Sequence, residues 1–386
     1  MGYSRVKRGD KRCVHECREA VALTTGALRT TLRKMGKTTG PSLRQIAAKA
    51  GVSHVTVSRA LRNDPSIPAK TARRLQRLAQ ELGYRPNPLV AALLSEVRSR
   101  RPQGDHTVIA YLNAWWPMRT WETCDTKTGQ YRGAEKRAAE LGFRIENFWL
   151  REPGMTPARL AQIFKTRSIR GVLIGPLQNQ NNAIDFPWED FSMATIGYSL
   201  HAPAISRACH AHFRGMYRAM DELISSGYRR IGYVTSRDFE DRVNSLWGAA
   251  YRLNQHRLAA KDRIEPLVFE AEADLGVLRR WLKSTRPDAI VNALPRVYEL
   301  LTELKLHPPD DIGFVHLDLP THLKQANVSG VDQLWEVVGA GALELIASQL
   351  YTNTGGLPDH PVTQLVEGAW FEGRTAAGRA GEGVRS

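Results

Sequence analysis

The stretch GVSHVTVSRALRNDP, residues 51–65, carries side chains suited to hydrogen bonding with base edges and phosphates. His54, Val55, Ser58, Arg59 and Arg62 share an outer face, while Val57, Ala60 and Leu61 point the other way. An arginine can hold guanine O6 and N7 as a bidentate pair, worth roughly 1–3 kcal/mol of discrimination. The competing use for Arg59 is a phosphate clamp that reads no sequence. A second group of side chains suits a different chemistry. Trp115, Trp116 and Trp121 follow an apolar run, and flat aromatic faces stack on sugar rings. At least one of these tryptophans is expected in the core instead.

The elements around residues 51–65 make the groove reading physical. In PSLRQIAAKAG, Ser42 and Gln45 have the spacing of a capping box. Leu43, Ile46, Ala47 and Ala50 recur at helical spacing and form one buried stripe. Gly51 suits a left-handed end to that helix, and Ser53 can cap the next. NDPSIP is a turn cluster. Pro68 then fits the first turn of a third helix, whose stripe is Leu75, Leu78, Ala79 and Leu82 and whose end is Gly83. Two short helices joined by a tight Gly-Val-Ser turn make a helix-turn-helix, which lays its second helix in the major groove.

Charge supports this division of the chain. The 386 residues carry a formal charge of +15. Residues 1–104 hold 22 Lys and Arg against 6 Asp and Glu, and the rest of the chain holds 32 against 33. The basic excess therefore sits in the first quarter, as expected of a polyanion-binding head on a neutral core. Apolar content of 42% supports a sizeable core. No run is apolar enough to span a membrane, and the charged N-terminus has no secretory pattern, so a cytoplasmic protein is expected. Cys13, His15 and Cys17 lack a fourth ligand at sensible spacing for zinc, and free thiols are expected.

The segments SLRQIAAKAGVSHVTVSRAL and TARRLQRLAQELGYRPN resemble the LacI/GalR family of bacterial transcription regulators over about 50 residues without a gap. The resemblance implies base contacts at His54, Val55 and Arg59 and phosphate contacts at Ser53, Thr56 and Ser58. It also adds Ser42, Leu43, Asn63, Asn87 and Leu93 to the DNA-binding set. Leu93 falls where the family's hinge wedges a leucine into the minor groove, a move that unstacks a base step. The alternative for Leu93 is a plain linker or dimer contact. The chain departs from the family here: Val90, Ala91 and Ala92 precede Leu93, without the usual arginine. Residues 98–101, RSRR, can supply that charge from further along.

Beyond residue 105 short apolar runs alternate with helical stretches. Strands are expected near 107–113, 144–149, 170–175, 193–197, 229–235, 264–270, 287–292 and 311–317, which implies parallel sheets with helices on both faces. Ligands in such sheets bind outside the carboxyl ends of the strands. SGYRRIGYV, DDIGFVHLD and VTQLVEGAWFEGR are similar to the family's sensor, a periplasmic-binding-protein-like pair of subdomains. That resemblance implies a ligand-binding aspartate at Asp318. The family's ligand arginine falls on Ser245, three residues before Gly248, and Arg242 stands one turn earlier as a substitute. The expected ligand set is Trp115, Trp116, Tyr198, Arg242, Trp247, Asn292 and Asp318. His210 and His212 are expected to be a solvated pair rather than a metal site.

The expected architecture is an N-terminal all-α helix-turn-helix domain plus an α/β periplasmic-binding-protein-like sensor with two parallel-sheet subdomains. Its parts are a basic extension over 1–40, expected to be disordered, then the DNA-binding domain over 41–86. A hinge helix and linker over 87–104, an effector-binding and dimerisation core over 105–375 and a flexible tail over 376–386 complete it. Met35 stands where family chains usually begin, so the extension is either an arm or the product of an upstream start codon. No G-x-S-x-G, Walker loop, H-E-x-x-H or G-x-G-x-x-G occurs, so catalysis and cofactors are not expected. The expected partners are a double-stranded DNA operator, a small-molecule effector such as a sugar derivative, and a second copy of the chain. A core that is blind to effectors or answers a protein partner is the main competitor, because Ser245 replaces the arginine. An enzyme with a fused DNA-binding head is a remote one.

Overall fold

The computed structural model describes residues 43–61, 67–84, 107–115, 124–178 and 183–378. The chain divides into two compact units at residues 87 and 88.

The first unit holds three helices, α1 (Leu43–Ala50), α2 (His54–Leu61) and α3 (Ala69–Glu81). Ile46, Val57, Ala60 and Leu75 are fully buried and form its small core. The turn between α1 and α2 closes as the sequence requires. Gly51 is left-handed, at φ +67°, and the Val52 amide donates to the Ala47 carbonyl at 3.1 Å. An L side chain rarely takes that backbone conformation, which is why glycine stands there. Ser53 Oγ accepts from the Thr56 amide at 3.0 Å and so caps α2. Cross-braces tie α3 to its neighbours: Gln76 Nε2 donates to Ala60 O at 2.9 Å and Arg74 Nη2 to Ala50 O at 3.3 Å.

The second unit has two lobes, each an α/β layered sheet. The first sheet runs in the order β11 (Thr363–Val366), β5 (Arg207–His210), β4 (Ser192–Ile196), β3 (Gly171–Ile174), β1 (Thr107–Asn113), β2 (Phe143–Trp149). All its pairs are parallel. The second runs β12 (Ala369–Phe371), β10 (Gly330–Asp332), β9 (Gly313–His316), β8 (Ala289–Asn292), β6 (Ile231–Ser236), β7 (Leu267–Phe269). The expected two parallel-sheet subdomains are present, with β12 alone pairing antiparallel, to β10. The chain explains it: β10 runs toward a crossing between the lobes, and β12 runs away from one.

Three crossings join the lobes, after β5, after β10 and between β11 and β12. The helices of the lobes are α4 (Asp125–Glu140) and α5 (Pro157–Thr166) in the first and, in the second, α6 (His212–Ser225), α7 (Arg237–Arg242), α8 (Leu246–Gln255), α9 (Leu275–Thr285), α10 (Val297–Glu303) and α11 (Thr321–Gln325). The last helix, α12 (Trp335–Thr352), returns to the first lobe and packs along α4. That contact is backbone to backbone. A Cβ built on Gly133 would stand 1.9 Å from Glu336 O, and one on Gly339 would stand 1.8 Å from Gln130 O. Only glycine allows the two axes so close.

Candidate nucleic-acid interface and effector cleft

On the head, Ser53 and Thr56 stand at the start of α2, with their hydroxyls 2.8 Å apart, and Arg59 is exposed on it. Ser42, Asn63, Asn87 and Leu93 lie outside the described residues, as do the side chains of Leu43, His54, Val55 and Ser58. Lys49, Lys70, Arg73, Arg74 and Arg77 line a groove between α1 and α3. The head thus presents Arg59 on its polar-capped second helix and a separate basic groove between α1 and α3.

In the second unit the carboxyl ends of the strands face each other across a cleft. Asp318, just after β9, is the polar centre of it. Its Oδ1 accepts from Trp335 Nε1 at 2.7 Å and its Oδ2 from Thr126 Oγ1 at 3.2 Å. Its own amide donates to His316 Nδ1 at 3.1 Å. Burial pushes the Asp318 carboxyl up to about 6, against the pull of Trp335, Thr126 and the Arg242 charge. Burial likewise pushes the His316 imidazole down to about 4, so it is neutral at ordinary pH. Thr126 belongs to the first lobe and Asp318 to the second, so this bond crosses the cleft. The Thr321 amide makes another crossing bond, to Asp125 Oδ2 at 3.0 Å.

Trp115 leaves β1 and is clamped by its neighbours. Its indole N–H donates to Pro176 O, and its carbonyl accepts from Trp149 Nε1 at 2.8 Å. Lys127 Nζ stands 3.1 Å from the ring centroid and the Arg242 guanidinium 5.0 Å from it. Arg242 comes from the second lobe and donates to Leu177 O of the first at 3.3 Å. The local turn that places Arg242 is unusual: Asn244 and Ser245 are both left-handed, at φ +55° and +54°. Glu240 braces it by accepting from Tyr233 Oη at 2.6 Å and from the Gly248 amide at 3.2 Å. Ser245 itself is exposed.

Trp115, Arg242 and Asp318 therefore converge, while other expected ligand residues sit elsewhere. Trp247 is 2% exposed and packs in the core of the second lobe. Asn292 is wholly buried and bonds through both its amide oxygen and nitrogen to Leu294, which shapes the loop after β8. Tyr198 lies toward His212 and Arg207, with ring centroids 6.2 Å apart in the first case. Trp116 and Trp121 lie outside the described residues. His210 and His212 are not a solvated pair, and that expectation is corrected. His210 is 3% and His212 8% exposed, because the crossing after β5 runs through the interior. Sequence reasoning missed Thr126, Lys127 and Trp335. The signals were a polar helix start soon after the tryptophan segment and a tryptophan opening the last long helix.

The family model described as bacterial regulatory proteins, lacI family, matches residues 42–87, and a periplasmic binding protein-like domain model matches residues 220–373. The chain is 46% identical over 63 residues to the HTH-type transcriptional regulator GntR of Pseudomonas aeruginosa, which covers 16% of this chain and 18% of that protein. It is 22% identical over 198 residues to the NTD biosynthesis operon regulator NtdR of Bacillus subtilis, covering 50% and 54%. The matches thus span only part of these relatives. Among solved structures, the transcriptional regulator CelR–cellobiose complex matches at a TM-score of 0.54 and 21% identity, over 87% of this chain and 99% of that one. The lac repressor dimer bound to operator and the anti-inducer ONPF matches at 0.52 and 17%, over 88% and 99%. A lacI-type head and a periplasmic-binding-protein-like core are thus matched in one chain, in that order, by two separate family models.

Proposed function

We propose that this protein is a cytoplasmic, homodimeric, sequence-specific DNA-binding regulator whose operator affinity is set by a small polar effector in the cleft of its core. The observation that carries the proposal is the helix-turn-helix matched over residues 42–87, with α2 capped by Ser53 and presenting Arg59 to solvent. A dimer presents two such heads, and two-fold symmetry asks for a pseudo-palindromic site with a fixed half-site spacing. Asp318, Trp335 and Thr126 supply a charged acceptor and polar groups of the kind that orient a hydroxylated ligand. Arg242 supplies in the cleft the guanidinium that Ser245 lacks, which favours an effector-responsive core over an effector-blind one. A carbohydrate-class effector fits these groups, and the neighbouring fold of the CelR–cellobiose complex supports that class. Effector binding across the two lobes alters their closure, and closure alters the affinity of the paired heads for DNA. Repression by occupying a promoter is the proposed mode.

The test is selection of bound DNA from a random pool by the purified full chain, at near-physiological salt because non-specific binding is salt-dependent. Enrichment of a pseudo-palindrome is the expected result. An unenriched pool, with and without candidate effectors, would overturn the reading of the head.

A further inference from the structure

The cleft holds two cations where hydroxyl recognition needs none. Lys127 is 8% exposed, in the first turn of α4 on the first lobe. Arg242 ends α7 on the second lobe and is largely covered. Both lie against the Trp115 ring. Among the described residues neither has an ion-pair partner. Asp238 and Asp318 act on Arg242 through their charge, but neither closes a salt bridge with it. Asp318 is engaged by Trp335 and Thr126, Asp125 by the Thr321 amide, and Asp238 keeps a buried Oδ1 without a hydrogen-bond partner. Burying a cation without a close ion pair is costly, and two cations beside the same ring repel. Both facts mark the lysine: burial, then Arg242, push its ammonium down to about 8, against an opposing hydrogen bond with Cys124. The N-terminus of the sixteen-residue α4 adds a partial positive charge on the same side.

Resting on the effector reading above, we propose that the ligand of this cleft is an oxyanion-bearing, hydroxylated small molecule, a sugar acid or sugar phosphate, whose charged group bridges Lys127 of one lobe and Arg242 of the other. The anion gives both cations a direct salt-bridge partner. It also removes the repulsion between cations on opposite lobes, so that binding draws the lobes together. The hydroxyl groups fall to Asp318, which accepts from them. A neutral sugar satisfies Asp318 but leaves both cations unpaired.

Titration calorimetry on the full chain, with matched pairs that differ only in the charged group, tests this. Gluconate against glucitol and glucose 6-phosphate against glucose are two such pairs, with inorganic phosphate as a probe of the anion subsite alone. The expected result is that the anionic member of a pair binds about 100-fold tighter than its neutral partner, the scale of charge-assisted hydrogen bonds. The carboxylate and phosphate arms separate the two sources of the oxyanion. Lys127→Gln should remove most of that preference and Lys127→Arg should retain much of it. The wild-type pairs carry the test even if a variant fails to fold. If the neutral member binds as tightly as the anion, the charge proposal fails while the effector reading stands. If no member of the panel binds at millimolar concentration, and the selected operator is bound regardless, both fail together.

Discussion

Arg59 and Asp318 carry the sharpest consequences of single side chains. Arg59→Ala should abolish preference for the selected operator, a loss of about 1–3 kcal/mol, and leave weak salt-sensitive binding. Competition binding against scrambled DNA measures this, and an unchanged preference would reassign Arg59 to a phosphate. For Asp318 the prediction is one of pH. Its carboxyl is faced by Trp335, Thr126, Arg242, Asp332 and His316, and burial raises it to about 6. A carboxyl that protonates more readily folded than unfolded favours folding in acid. That contribution is full below the unfolded carboxylate value of about 3.9 and is lost as pH rises through about 6. Asp318→Asn should therefore stabilise the core at pH 7.5 by on the order of 1–3 kcal/mol, one pKa unit being about 1.4 kcal/mol, and change it little at pH 4. Urea melts at both values read this out; an equal gain at the two would rule out desolvation as the cause. Arg242 shows how far a single residue was legible. Its type and its one-turn offset from Ser245 marked it as a substitute, but only the left-handed Asn244–Ser245 turn carries it to Trp115.

Strands were legible where their residues show an apolar run or alternation. The seven-residue β1 is an apolar run and β2 alternates. No strand was expected at β5, β10, β11 or β12. Length is not the reason, since β3, β7, β8 and β9 are as short and were expected. The pairing of α4 with α12 was also invisible, because a helix contact made of glycine backbone leaves no apolar stripe. It can be tested. Gly133→Leu or Gly339→Leu places a side chain inside a carbonyl less than 2 Å from the new Cβ, and should cost about 3 kcal/mol or more. Chemical denaturation would show the loss as a lower midpoint. A variant as stable as the parent would mean that the two helices do not meet at these glycines. Because Trp335 opens α12 and Thr126 lies in the first turn of α4, the same variants should also weaken effector binding.

For the whole molecule the proposed function requires reciprocity. If an effector changes operator affinity by some factor, operator DNA must change effector affinity by the same factor. Couplings of this kind usually amount to about 5–150-fold. Calorimetry of the effector with and without a selected operator, set beside operator titrations with and without the effector, checks it. Unequal factors would mean that a third equilibrium, such as dimer dissociation, intervenes. Full equality with no coupling at all would leave the cleft unconnected to the heads. Three crossings between the lobes make such coupling plausible in physical terms, since closure must bend all of them at once. His210 sits at the first crossing, wedged where a Cβ on Gly215 or Gly368 would touch its ring at 2.8 or 2.6 Å.

The basic first quarter, the three short helices of the head and the alternation of strand with helix were determined by the sequence alone. Caps, turns and periodicity act between residues a few positions apart, so a linear reading contains them. The contents of the cleft were decided by the tertiary structure. Lys127, Arg242, Asp318 and Trp335 are spread over more than two hundred residues, and two folded sheets and two opposed lobes are needed to bring them together. The tertiary structure also sent Trp247 and Asn292 to the interior, since the same residue type serves core or ligand according to which face of its element turns inward.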